Sequence, residues 1–191
     1  EIGGNIGRNS LVIASILNDA SNLVVLESDE KIAKTLEENR DLNNFKFHVE
    51  KSAISNRRLM QKSWDTIPSD TLKKGYKWID TITLAELKDK YRVEFDTLVL
   101  DCEGAFYNIL NELPEILNNI KLIIIENDGP DDKIPYIRQK LLDNNFLLIH
   151  TQTHPFLNND GEWKINNVSD YKKINYRNNI IGFHEVYIKN I

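Results

Sequence analysis

Only one cysteine, Cys102, occurs in the 191 residues, so no intrachain disulfide can form and a reducing, cytoplasmic setting is expected. No apolar run approaches the roughly 20 residues a membrane-spanning helix needs, and the opening residues do not read as a secretory leader. An excess of positive charge is missing as well: 24 Lys and Arg stand against 29 Asp and Glu, giving a formal net charge of −5. A protein that grips phosphate backbones needs a basic stripe. Nucleic acid is therefore not expected as a partner, and a small, neutral polar acceptor fits better. Glycine is scarce, with eight residues, yet Gly3, Gly4 and Gly7 crowd the opening.

What is present is a globular composition, 41% hydrophobic and 28% charged, in a length that suits one domain over residues 1–191 without disulfides or metals. Periodicity supplies the architecture. Leu11, Val12, Ile13, Ile16 and Leu17 form a helical stripe, and residues 23–26 are a strand-length apolar run closed by Glu27. Ser28 is placed to cap a helix through Asn39, with Ile32, Ala33 and Leu36 inward, and Phe45, Phe47 and Val49 alternate as in a strand. Residues 55–76 read as a long irregular connection with room for a short strand or turn, at the mouth of a site. Thr83 and Glu86 have capping-box spacing for a helix to Tyr91. Residues 98–100 and 122–125 read as buried parallel strands, with a helix over 106–118 interrupted at Pro114. A helix over 134–144 and strands over 146–149 and 180–188 follow. Alternating strands and helices predict an α/β fold, a doubly wound, mostly parallel sheet with its binding site at the carboxyl ends of the strands. Glu1 and Ile2 look like the end of a first, central strand, truncated at the N-terminus.

The opening, Glu1-Ile2-Gly3-Gly4-Asn5-Ile6-Gly7-Arg8-Asn9-Ser10, runs straight into a helix. Its glycines permit a tight turn and close backbone approach of a ligand, and the helix start offers free N–H groups. Glu27 ends the next apolar strand twenty residues after Gly7, where a carboxylate can accept both hydroxyls of a ribose. Alternatively, Glu27 is a solvated strand-end acid. A nicotinamide-dependent dehydrogenase would share both features but would leave Asp101-Cys102-Glu103-Gly104 unexplained.

That last string, the opening string, the Glu27-Ser28 pair, Ala53-Ile54-Ser55, Thr81-Ile82-Thr83-Leu84 and Glu126 follow in an order that resembles the FkbM-type methyltransferases. The resemblance implies a class I methyltransferase fold of Rossmann-like type, S-adenosylmethionine as cofactor, and O-methylation of a sugar, glycan or small-molecule hydroxyl. It implies that Glu1, Gly3, Asn5 and Gly7 surround the methionine part, that Glu27 with Ser28 holds the ribose, and that Ser52 and Ala53 border the adenine. Asp101 would face the sulfonium and the acceptor. The chain departs from the family at Val99, where Lys is common, at Phe106, where an acid is common, and at Glu1, which replaces Asp. These departures leave a non-catalytic binding or scaffold module as the alternative.

Asp101 and Glu103 are two positions apart at a strand exit, so extended geometry would point both to one side. They could act as base, hold a divalent ion such as Mg²⁺ together with Glu126, or cap the helix that follows. His154 and His150, beyond the strand over 146–149, are further base candidates. His48 and His184 read as packing residues, and Trp64, Trp78 and Trp163 fall in or near irregular segments.

Overall fold

The fold is described from a computed structural model that covers residues 1–127, 133–152 and 184–190. In chain order the elements are α1 (Arg8–Ile16), β1 (Val24–Leu26), α2 (Glu30–Leu42), β2 (His48–Glu50), β3 (Ala53–Ile54), β4 (Leu59–Lys62), β5 (Asp65–Pro68), β6 (Lys77–Ile79) and β7 (Thr81–Ile82). They continue with α3 (Leu84–Tyr91), β8 (Thr97–Leu100), α4 (Phe106–Glu112), β9 (Leu122–Glu126), α5 (Ile134–Asp143), β10 (Phe146–Gln152) and β11 (His184–Lys189).

Ile2 joins the topology together. It makes single parallel bridges to Leu26 on one side and Leu100 on the other, and so links the parallel pair β1–β2 to the strands ordered β8, β9, β11, β10. Strands β8 and β9 are parallel, whereas β11 runs antiparallel to both β9 and β10. The sheet is therefore mixed. Gln152 pairs with His184, so the chain re-enters the sheet at the end where β10 leaves it and must run in the opposite direction. Residues 180–183 of the expected last strand lie outside the described residues.

Alternate residues of β1 face opposite ways. Val24 and Leu26 pack with Leu87 of α3, Leu110 of α4 and Ile123 of β9, while Val25 packs with Ala14 of α1 and Leu36 of α2. Both faces of the strand are covered, which is why the run is apolar at every position.

The helix boundaries follow their caps. Thr83 and Glu86 form the capping box at α3, and α4 stops at Glu112, before a 3₁₀ turn over Pro114–Leu117. The start of α2 corrects one expectation: Asp29, not Ser28, is the cap, accepting from the N–H groups of Lys31 and Ile32 at 2.9 and 3.2 Å. The Ser28 hydroxyl instead accepts from Gln61. A larger refinement concerns residues 55–76, which hold two strands, β4 and β5, between irregular stretches over 55–58 and 69–76. Strand β4 pairs antiparallel with β5 and with β6, a small sheet of its own. Leu59, Met60 and Gln61 are buried in succession, so the strand lacks the alternation that identifies one in a sequence.

The opening loop owes its glycines to the chain's own packing. Gly3 has φ +90°, and a Cβ on it would lie 1.7 Å from the Asp101 carbonyl oxygen. At Gly7, φ is +93° but the nearest atom to such a Cβ is Leu36 Cγ at 3.4 Å. The close approach at position 3 is thus made by the exit of β8, not by a ligand. Gly7→Ala is expected to cost about 1–3 kcal/mol through backbone strain alone. Gly3→Ala, which adds a clash with rigid backbone, should exceed ~3 kcal/mol or prevent folding. Urea unfolding of the two variants checks the order, and equal losses would contradict it.

Candidate functional site

The first wall of the site is the opening loop. Gly3, Asn5 (φ 45°) and Gly7 occupy the left-handed region, which bends residues 3–7 so that the Asn5 N–H points back at the end of β1. There it donates to Glu27 Oε2 at 2.9 Å, while the Asp29 N–H donates to Glu27 Oε1 at 2.8 Å. Glu27 is only 7% exposed, so it is not a solvated strand-end acid. It pins the loop to the entrance of α2, and each of its oxygens keeps a further lone pair. Burial pushes its pKa up, and the two N–H bonds pull the other way.

Beyond Glu27 opens a cleft with roughly 930 Å³ of free space, solvent at its mouth included. Gly3, Asn5, Glu27 and Ser28 form one side; Ser52 and Ala53 follow from the end of β2 and the start of β3. The small antiparallel sheet contributes Leu59, Gln61 and Trp64, and the exit of β8 contributes Asp101, Cys102 and Glu103. Ser52 is buried and donates to Glu50 at 3.1 Å. Residues 55–76 thus stand at the site, as expected, but as a built wall.

Glu1 and Gly7, expected around the ligand, are absent from this wall. The Glu1 carboxylate accepts from the Ser10 hydroxyl of α1, and the residue borders a separate, mainly apolar cavity with Leu87, Phe95 and Ile116.

The acidic edge is assembled from three strands. Asp101 follows β8, is half-buried and accepts from the Asn9 side chain at 3.2 Å. Burial raises its pKa, opposed by His184 and the Asn9 bond. Glu103 has φ +52° and is exposed, so extended geometry ends at Leu100 and the expected shared direction of Asp101 and Glu103 does not hold. No side chain caps α4 either. Glu126, at the end of β9, has its pKa pushed up to about 7, first by burial and then by Asp101 and Glu103, with Arg8 opposing. His184 pairs in register with Glu126 and places Nε2 3.6 Å from its carboxylate. Burial lowers the His184 pKa, so at neutral pH this contact is not a full ion pair. Among the described residues no group of three His, Cys, Asp or Glu is placed to hold a metal ion, and the expectation of Mg²⁺ gains no support.

Of the remaining expected residues, His150 is exposed on β10 and does not line the cleft. His154 and Trp163 lie outside the described residues. His48 stacks at 4.8 Å on Tyr91, and Trp78 lies under the Arg58 guanidinium at 4.1 Å. The sequence reading missed Asn9, Gln61 and the position of His184. None carries a local signal, because each reaches the site through pairing or packing with a distant segment.

No family model and no curated protein matches the chain. Among solved structures it is similar to Sp1610 of Streptococcus pneumoniae, a protein described as a candidate tRNA (m1A22) methyltransferase, with a TM-score of 0.51 and 15% identity. The likeness covers 99% of this chain and 62% of that one, so the chain spans less than two thirds of that protein. At this identity the likeness is one of fold: a mixed α/β fold shared with a methyltransferase-like structure. Among the described residues no helix is long and apolar enough to cross a membrane.

The folded state holds the Glu126 proton more tightly than the unfolded chain, whose ordinary value is 4.5. The stability this adds is full below that value and is lost as pH rises through about 7. Glu126→Gln is expected to melt with the parent near pH ~5 and above it beyond pH ~7.5. Thermal melts across that span check this, and parallel curves would contradict it.

Proposed function

We propose that the chain is an S-adenosylmethionine-dependent methyltransferase, one domain over residues 1–191 with the doubly wound sheet of the class I enzymes. We propose O-methylation of a sugar, glycan or small-molecule hydroxyl as its reaction. The observation that carries this reading is Glu27, a buried carboxylate at the end of β1. It is held by the N–H groups of Asn5 and Asp29 and stands on the wall of an open cleft.

Bound S-adenosylmethionine supplies a methyl group on a cationic sulfur. Glu27 accepts the ribose hydroxyls with its remaining lone pairs, Ser28 follows beside it, and Ser52 and Ala53 border the base. Gly3 and Asn5 face the amino-acid end, while Glu1 and Gly7 hold the loop in shape from behind. An acceptor hydroxyl would have to be aligned with that methyl group and give up its proton to the chain or to solvent. Asp101, steadied by Asn9, takes that proton. A carboxylate whose pKa is raised toward the working pH is a better base than an ordinary one. Glu103, at the mouth, positions the acceptor, and His154 stays in this reading as a second base.

Phe106 is 1% exposed and sits in the main core. An acid there would be buried among apolar side chains, so this departure from the FkbM pattern reflects packing and does not argue for a non-catalytic module. The tRNA acceptor in the neighbour's description is not carried over, because a net charge of −5 does not suit a phosphate backbone. Incubation with methyl-labelled cofactor and a panel of sugars, lipids, peptides and RNA decides the class.

Glu27→Ala should weaken binding of S-adenosylhomocysteine by roughly 1.5–3 kcal/mol, about ten- to a hundredfold. Titration calorimetry that finds undiminished binding in the variant, or no binding by the parent, overturns the assignment. Once an acceptor is found, Asp101→Asn should reduce turnover by about 10²–10⁴-fold and flatten its pH dependence. Full turnover in that variant would remove Asp101 as the base.

A further inference from the structure

We infer that Gln61 reads the amino edge of the nucleobase in this cleft and makes the site selective for an adenosyl ligand over a 6-oxopurine one. This inference rests on the methyltransferase reading above and adds to it the residue that recognises the base.

Gln61 lies in β4, the central strand of the small sheet, paired to Thr66 of β5 and Lys77 of β6, so its backbone is held from both sides. The residue is 6% exposed and its side chain lines the cleft. The two ends of its amide are treated differently. Nε2 donates to the Ser28 hydroxyl at 3.2 Å. Oε1 is fully buried and has no hydrogen-bond partner. Buried amide oxygens are nearly always satisfied, and one that is not calls for a specific explanation. Here the missing partner must be a donor, because a carbonyl oxygen only accepts.

The place of that donor is fixed by the neighbours. Ser28 directly follows Glu27, so a ribose held by Glu27 puts its base one step further along the cleft. That step is bordered by Ser28, Ser52 and Ala53 with Gln61, and Ile54 and Leu59 offer apolar surface for the ring faces. Adenine presents an exocyclic amine at its six position, a donor for the Gln61 oxygen. Hypoxanthine and guanine present a carbonyl oxygen at the same ring atom, which would set lone pair against lone pair. A site built to hydrogen-bond an N–H discriminates strongly against an analogue that lacks it.

The test is titration calorimetry of S-adenosylhomocysteine and S-inosylhomocysteine against the parent, Gln61→Met and Glu27→Ala. The parent should bind the adenosyl compound at least about tenfold more tightly. Gln61→Met, which keeps the side chain's length and removes its oxygen, should bring the ratio near unity, mainly by weakening the adenosyl compound. Glu27→Ala should weaken both compounds and leave the ratio unchanged. Since the ratio compares two ligands on one preparation, partial unfolding of a variant does not alter it. A parent ratio near unity, or a ratio that survives Gln61→Met, overturns the role of Gln61 while Glu27-dependent binding leaves the cofactor reading intact. Failure of the parent to bind either compound overturns both.

Discussion

The structure depends on a contact with no room in it. The Cα of Gly3 lies so close to the carbonyl of Asp101 that no side chain fits between them. Ile2 is hydrogen-bonded through its N–H to Val99 and through its carbonyl to the Asp101 N–H, at 2.9 and 3.1 Å. The N–H groups of Gly3 and Gly4 both reach the Leu26 carbonyl at 3.0 Å. Three chain segments are thereby locked edge to edge within one residue of where each leaves the sheet. The loop that carries Asn5, the carboxylate of Glu27 and the turn that carries Asp101 face one cleft because of that lock.

The electrostatics of the cleft follow from crowding acids at strand ends without surrounding them with cations. Among the described residues Arg8 is the cation that lowers the Glu126 pKa, and burial with two neighbouring carboxylates outweighs it. Burial and the neighbouring carboxylates push the Glu126 pKa up to about 7, while the rise at Asp101 is opposed by His184 and Asn9.

Two further supports fix this arrangement. Glu185, 1% exposed, accepts from Arg138 of α5 and from the Tyr187 hydroxyl. That buried bond set fastens β11 to α5 and holds the preceding His184 opposite Glu126. On the other side, the small antiparallel sheet brings Gln61 to the cleft and ties it to Ser28, immediately after the ribose-side carboxylate.

The sequence by itself determined the elements whose causes are local. The apolar runs ending in Glu27, Asp101 and Glu126, the Thr83–Glu86 capping box, the break at Pro114 and the glycine-rich opening each depend on residues within a few positions of one another. Position along a strand is enough to say that these acids end at one edge. The tertiary structure alone decided which atoms face one another there. It made Asp29 the cap of α2, because cap geometry turns on a single dihedral step. It turned Glu103 out of line with Asp101 through a left-handed residue that no pattern announces. It folded residues 59–68 into an antiparallel pair whose first strand, β4, is buried without alternation, and it set β11 antiparallel to β9 through pairings with residues about sixty positions away. Asn9 on Asp101, Gln61 on Ser28 and His184 beside Glu126 are contacts across 92, 33 and 58 residues, and at such separations only the packed chain specifies a neighbour.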